Sequence, residues 1–145
     1  MVKNTKTMHT VIAYLTLFFT ALSMQGQNTI DVWITGFSSN NGIAMVGLYD
    51  SEENFLEKML LGKQSEIANG AAKVVFSDIP EGVYAIGVFH DEDDNGKLNM
   101  VMGLYPSEDV GASNNAPARF GPPKWEDAKF EIKDKEHMVQ KIILN

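Results

Sequence analysis

Phe76-Ser77-Asp78-Ile79-Pro80-Glu81-Gly82-Val83-Tyr84 is the stretch whose reading decides the fold. Pro80 presets its own backbone for a tight turn and Gly82 tolerates dihedrals that a side chain resists, so the chain reverses here. Extended runs flank the turn on both sides. Glu66 to Phe76 leads in, with Val74 and Phe76 as expected core residues, and Val83 to Phe89 leaves as an almost continuous apolar run. Two strands joined by a short polar turn are the signature of a β protein.

The same pattern repeats outward. Thr29 to Phe37 sets Ile30, Val32 and Ile34 on one side against Asp31, Trp33 and Thr35 on the other, the period of two expected of a half-buried strand. Asn40-Asn41-Gly42 then predicts a turn and Ile43 to Tyr49 a returning strand, which together read as a hairpin. After Ser51, a plausible N-cap, Phe55, Leu56, Met59 and Leu60 fall at helical spacing and predict a short helix or helical turn over Glu52 to Leu61 that packs on the core. Near the end, Ala128 to Ile132 and His137 to Leu144 alternate again and predict a last hairpin around Lys133-Asp134-Lys135. The expected fold is all-β, an antiparallel β-sandwich of about seven strands with one short helix and a long ordered loop.

The 145 residues suffice for one domain. Residues 1–26 read as a secretory signal peptide: Lys3 and Lys6 make a charged start, Val11 to Leu22 a short apolar run, and Ser23 to Gln27 a small, polar exit. The sandwich is then 27–145, and its expected location is secreted or periplasmic. The apolar run is too short for a comfortable membrane span and no second one follows. With no cysteine there is neither a lipid-attachment site nor a disulfide framework. Twelve basic residues less Lys3 and Lys6 leave ten against nineteen acidic ones, a formal balance of −9. Nucleic acid is therefore a poor partner, since phosphate binding needs a basic patch.

The segment that carries chemistry is His90-Asp91-Glu92-Asp93-Asp94-Asn95-Gly96-Lys97-Leu98-Asn99. A calcium ion takes six to eight oxygens, and a tight turn supplies them from alternate residues. Asp91, Asp93 and Asn95 occupy the first, third and fifth places, Gly96 the sixth where the backbone must reverse, Lys97 offers its carbonyl, and Asn99 the ninth-place oxygen. Position twelve, Met102, supplies no carboxylate, and the preceding Val83 to Phe89 is a strand and not an EF-hand helix. The missing carboxylate must come from later in the chain, with Glu108, Asp109, Glu126 and Asp127 as candidates. The metal set is thus Asp91, Asp93, Asn95, Lys97 and Asn99, with Glu108 as the sixth although the sequence does not choose among the four, and Ca²⁺ is the expected ion. An ordinary turn also favours Asp-Asn-Gly, but four consecutive carboxylates from Asp91 to Asp94 repel one another without a counter-ion. Mg²⁺ fits less well because it demands a stricter octahedron, and soft metals because the ligands are oxygens.

From His90 to Trp125 no periodicity persists and Gly, Pro, Asn and Ser are dense, while Leu104, Tyr105, Phe120 and Trp125 are expected to pin the segment to the body. Ser113, Asn114 and Asn115 are suited to satisfying loop backbone groups, and His90 to orienting a neighbour by hydrogen bonding. The turn at Pro80 and Gly82 resembles the strand-turn-strand element of transthyretin-like and collagen-adhesin B-type sandwiches. The order Phe89-His90-Asp91, Asn95-Gly96-Lys97-Leu98, Gly103, Pro106, Glu108, Ser113-Asn114-Asn115, Phe120-Gly121-Pro122-Pro123, Trp125-Glu126-Asp127-Ala128 and Phe130 resembles a bacterial exported family catalogued as domain of unknown function 2141. The resemblance implies a secreted or periplasmic β domain and no activity.

Three functions follow as expectations. The first is a calcium-binding module whose ion-ordered loop meets a cell-envelope glycan or protein, with Trp125, Tyr105 and Trp33 as flat apolar faces. The second is a metal-dependent hydrolase with His90 or Glu92 as general base. It lacks the G-x-S-x-G, H-E-x-x-H and phosphate-loop motifs, so enzyme activity is the weaker reading. The third is a structural or assembly domain that pairs through a sheet edge.

Overall fold

The computed structural model describes residues 28–145, and the leader expected over 1–26 lies outside them. Among the described residues ten strands form, in order β1 (Thr29–Thr35), β2 (Ile43–Tyr49), β3 (Leu61–Glu66), β4 (Ala71–Ser77), β5 (Gly82–Asp91), β6 (Met100–Val101), β7 (Tyr105–Pro106), β8 (Val110–Ala112), β9 (Phe130–Ile132) and β10 (His137–Ile143). A 3₁₀ turn at Ser113–Asn115 and one helical turn, α1 (Trp125–Ala128), complete it.

Two sheets face each other. One has the order β10-β1-β4, the other β3-β2-β5-β8 with β9 also on β5, and β6-β7 stand apart as a hairpin. Ile30, Val32 and Ile34 of β1 are fully buried, as the alternation predicts, and join Val46, Leu48, Val74, Phe76, Ile86, Val88 and Ile142 in one core between the sheets. A smaller cluster of Tyr49, Phe55, Ala85, Ala112, Ala116, Trp125 and Ala128 accompanies it.

Both expected hairpins are absent. β1 pairs with β4 and, in parallel, with β10, whereas β2 pairs with β3 and β5 in the other sheet. Residues 36–42 therefore cross between sheets and do not fold β2 back on β1. Likewise β9 lies on β5 and β10 on β1, so 133–136 is a second crossing. The local turn chemistry of a hairpin and of such an arch is the same, and only the competition for partners separates them. The β1–β10 pair also makes the first sheet mixed, where an antiparallel one was expected.

Of the short helix or helical turn expected over Glu52 to Leu61, the turn is what forms. Lys58 N donates to Asn54 O at 2.9 Å, but Leu56 takes a positive φ of 63° and the chain is already strand at Leu61. Of its apolar stripe Phe55 alone is buried, and Leu56, Met59 and Leu60 are exposed.

β5 is the one long strand, ten residues, and its far edge is shared by two short partners. Gly82 to Tyr84 pair with β9 and Gly87 to Phe89 with β8. Between them stands fully buried Ser113. Its Oγ accepts from Ile86 N at 2.9 Å and donates to Ala128 O at 2.6 Å, so one hydroxyl bridges the gap between partners. Asn114 Nδ2 donates to the carbonyls of Asp127, Ala128 and Lys129, and Asn115 bridges Ile143 N and Lys141 O, the backbone-satisfying role expected of both. Ser113→Ala leaves a buried N–H and carbonyl without these partners and is expected to cost roughly 1–3 kcal/mol. Urea denaturation checks this: the midpoint falls while the slope stays the same.

Candidate metal site

β5 carries the chain out of the core and ends at Asp91, which is fully buried. A carboxylate removed from water needs donors, and the turn that follows provides them. Asp91 Oδ1 accepts from Asn95 N at 3.0 Å and Oδ2 from Gly96 N at 2.7 Å. The reversal is helped by Asp94 and Gly96, with φ of 57° and 75°.

The register of β5 and β8 brings in the second side of the site. Phe89 pairs with Val110 and His90 N donates to Asp109 O at 2.9 Å, so the next antiparallel step sets Glu108 beside Asp91. Glu108 Oε1 accepts from Glu92 N at 3.0 Å and Oε2 from Asn99 N at 2.9 Å. Asp93 Oδ2 accepts from the side-chain amides of Asn95 and Asn99, each at 2.9 Å. Asp91, Asp93 and Glu108 thereby offer one ligand atom each, all within 4.8 Å of one another. Two neutral amides now direct partial positive charge at Asp93. Rotation of either amide presents its oxygen in place of its nitrogen, which is how Asn95 and Asn99 can serve a cation.

The four neighbouring carboxylates do not crowd together. Asp91 and Asp93 join the cluster, Glu92 turns away to accept from Ser39 Oγ at 2.6 Å, and Asp94 is exposed. Of the other later acids, Asp109 Oδ2 accepts from Ser38 N at 2.7 Å and lies 3.3 Å from His90 Nδ1. Glu126 of α1 pairs with Lys129, the residue just after it. Lys97 lies in the turn with its N–H donated to Asn95 Oδ1 at 2.7 Å. Leu98 is half-buried.

His90 is buried and positioned, as its place beside the acids suggests. Its Nε2 donates to Asn41 O at 2.7 Å, and its ring meets Phe37 edge-on at 5.3 Å. Both ring nitrogens are thus engaged. Trp125 packs against Phe55, whereas Leu104, Tyr105 and Phe120, expected to pin the segment, are exposed. The residues that do pin it are Asn99, Glu108 and Ser107, whose N–H donates to Asn99 O at 2.9 Å. Gly42, which the sequence marks only as a turn glycine, also serves the site: at φ 66° its backbone runs so close to Asp91 that an added Cβ would overlap the Asp91 carbonyl oxygen.

A two-sheet β-sandwich with an acidic turn at the end of its longest strand defines the class of this protein. The chain belongs to the family described as "Uncharacterized protein conserved in bacteria (DUF2141)", whose model matches residues 32–140. No curated protein and no solved structure matches the chain. Among the described residues no helix is long and apolar enough to cross a membrane.

Two outcomes test the site. Gly96→Ala meets nothing within 4 Å and is expected to cost the left-handed strain alone, about 1–2 kcal/mol. Gly42→Ala adds the collision with Asp91 and is expected to cost more, and chemical denaturation of both variants gives the comparison. The second concerns pH. Asp93 is held below the ordinary aspartate range by the hydrogen bond from Asn99 first, with burial opposing it and Asn95 adding to the lowering. Burial alone would raise Asp109, yet the hydrogen bonds from Ser38 and His90 together outweigh it and lower it. Asp31 is lowered by Lys73, 2.6 Å away, and by His137, with burial opposing. All three release protons more readily folded than unfolded, so their stabilisation is present above about pH 4 and is lost as pH falls through the lower folded values. The thermal midpoint is expected to drop as the pH falls below about 4, and a midpoint that stays level there overturns the assignment.

Proposed function

We propose that this protein is an exported calcium-binding β-sandwich module, in which the ion organises the turn after β5 and the segment that follows it. The observation that carries the reading is the convergence of Asp91, Asp93 and Glu108 from two separate parts of the chain onto one point. Three carboxylates at that spacing are mutually repulsive, and a divalent cation removes the repulsion. Asp93 Oδ2 accepts two amide hydrogens, but both Asp91 oxygens and Glu108 Oε2 accept one hydrogen bond each and keep a lone pair for coordination. Asn95, Asn99 and the Lys97 carbonyl complete a set of six oxygen-bearing groups, which suits calcium better than a soft metal. Export rests on the leader pattern of residues 1–26, and a secreted or periplasmic location brings the domain to millimolar-calcium surroundings where even a modest site fills.

The hydrolase reading loses support, because His90 has both ring nitrogens engaged and Glu92 is directed at Ser39. A cell-envelope glycan finds less support as well. Trp125 is buried, Trp33 lies in β1 beneath Lys73 at 4.5 Å, and Tyr105 is on the separate β6–β7 hairpin, so the three do not form one platform.

Calcium in hundredfold excess over its dissociation constant stabilises a folded site by about 2.7 kcal/mol. For a domain of this size that raises the melting midpoint by about 10 °C. Chelator reverses the shift, and Asp93→Asn and Glu108→Gln, both outside the core, each abolish most of it. A midpoint that ignores calcium removes the proposal.

A further inference from the structure

Three Asn-Gly steps occur in the chain, Asn41-Gly42, Asn69-Gly70 and Asn95-Gly96. In such a step the glycine nitrogen, with no side chain beside it to obstruct the approach, can attack Cγ of the asparagine before it. The new N–Cγ bond closes a cyclic imide, the Cγ–Nδ2 bond breaks, and the proton given up by the glycine nitrogen leaves with Nδ2 as ammonia. Water then opens the ring at either carbonyl. The product is an aspartyl residue, or an isoaspartyl one whose backbone runs through the former side chain. The reaction needs a glycine nitrogen released from any acceptor and an asparagine amide able to swing onto it. All three asparagines are exposed, so exposure does not rank them.

Hydrogen bonding does. Gly96 N donates to the buried Asp91 carboxylate at 2.7 Å, and the Asn95 amide is held at both ends. Its Nδ2 donates to Asp93 Oδ2 and Asn99 Oδ1, and its Oδ1 accepts from Lys97 N. Gly70 N donates at 2.8 Å to Asn40 Oδ1, a neutral and exposed acceptor. Asn41 is bonded through its backbone, its N donating to Ser39 Oγ at 3.2 Å and its O accepting from His90 Nε2 at 2.7 Å. Among the described residues, the Asn41 side chain and Gly42 N have no hydrogen-bond partner.

The bond from His90 also favours the attack. Asn41 O and Gly42 N belong to one peptide group, so charge that develops on the nitrogen as its proton leaves is shared with the oxygen. A donor aimed at that oxygen stabilises the charge, as donors do at an oxyanion. We propose that Asn41-Gly42 is the step at which this chain modifies itself, exchanging the Asn41 amide for a carboxylate and, in the isoaspartyl product, lengthening the crossing between β1 and β2 by one methylene. That crossing has no slack, because Gly42 lies against the Asp91 carbonyl and Asn41 O holds His90. The chemistry uses no ion, so it stands or falls apart from the calcium reading.

The purified protein is warmed in neutral buffer, folded or unfolded in urea, and peptide mapping by mass spectrometry follows the exchange of amide for acid at each asparagine. Unfolded, the three steps are expected to convert at similar rates. Folded, Asn41 is expected to convert first. Asn95 lags it by roughly tenfold to a hundredfold, the factor by which a hydrogen bond to a charged acceptor lowers the free fraction of its donor. Asn40→Ala, which removes the exposed acceptor of Gly70 N, is expected to speed Asn69 by roughly twofold to tenfold and to leave Asn95 unchanged. The isoaspartyl form, isolated by chromatography, is expected to melt below Asn41→Asp, which carries the new charge without the added methylene. Conversion of Asn69 or Asn95 ahead of Asn41 in the folded protein overturns the proposal, as does an intact Asn41 while the unfolded chain converts. An Asn69 rate untouched by Asn40→Ala overturns the hydrogen-bond ranking beneath it, and an isoaspartyl form that melts with Asn41→Asp overturns the effect on the crossing.

Discussion

A carboxylate cut off from water must find hydrogen-bond donors inside the protein, and at Asp91 that requirement shapes everything around it. Its two oxygens take the N–H groups of Asn95 and Gly96, which forces the chain leaving β5 into a tight reversal. The reversal puts Asp93 back beside Asp91, and the antiparallel step from β5 to β8 adds Glu108. On the opposite flank Gly42 must be a glycine, since the backbone of the crossing between β1 and β2 passes directly over the Asp91 carbonyl. One buried acid therefore ties together a turn, a strand pairing and a sheet crossing.

The same segment divides by chemistry along its length. Its base, at Asn99, Ser107 and Glu108, is polar and laced by hydrogen bonds, while its tip at Met100 to Tyr105 is apolar and exposed. Ser113 and Asn114 hold the far end of the segment, where α1 and β9 return to the sheet.

Much of this was legible in the residues. The alternation in β1 named Ile30, Val32 and Ile34 as core, and the Pro80 and Gly82 turn marked the boundary of β5. The spacing of Asp91, Asp93 and Asn95 located the acidic turn, because these are local signals, written in neighbours of known period and turn preference. Their failures are local too. Leu56, Met59 and Leu60 have helical spacing, but only turns form there, Leu56 takes a positive φ, and all three stay exposed while Phe55 is buried. Leu104, Tyr105 and Phe120 are apolar, and apolarity alone does not tell a buried anchor from an exposed tip.

By itself the sequence determined an all-β chain, the faces its longer strands bury, and one turn rich in oxygen ligands. Tertiary structure alone decided which strands pair. It set β10 parallel to β1, sent 36–42 and 133–136 across the sandwich, and chose Glu108 over Asp109, Glu126 and Asp127. The reason is that a strand's side-chain period says which face goes inward, whereas its backbone donors and acceptors accept any edge. Which edge they find depends on every other strand competing for the same place.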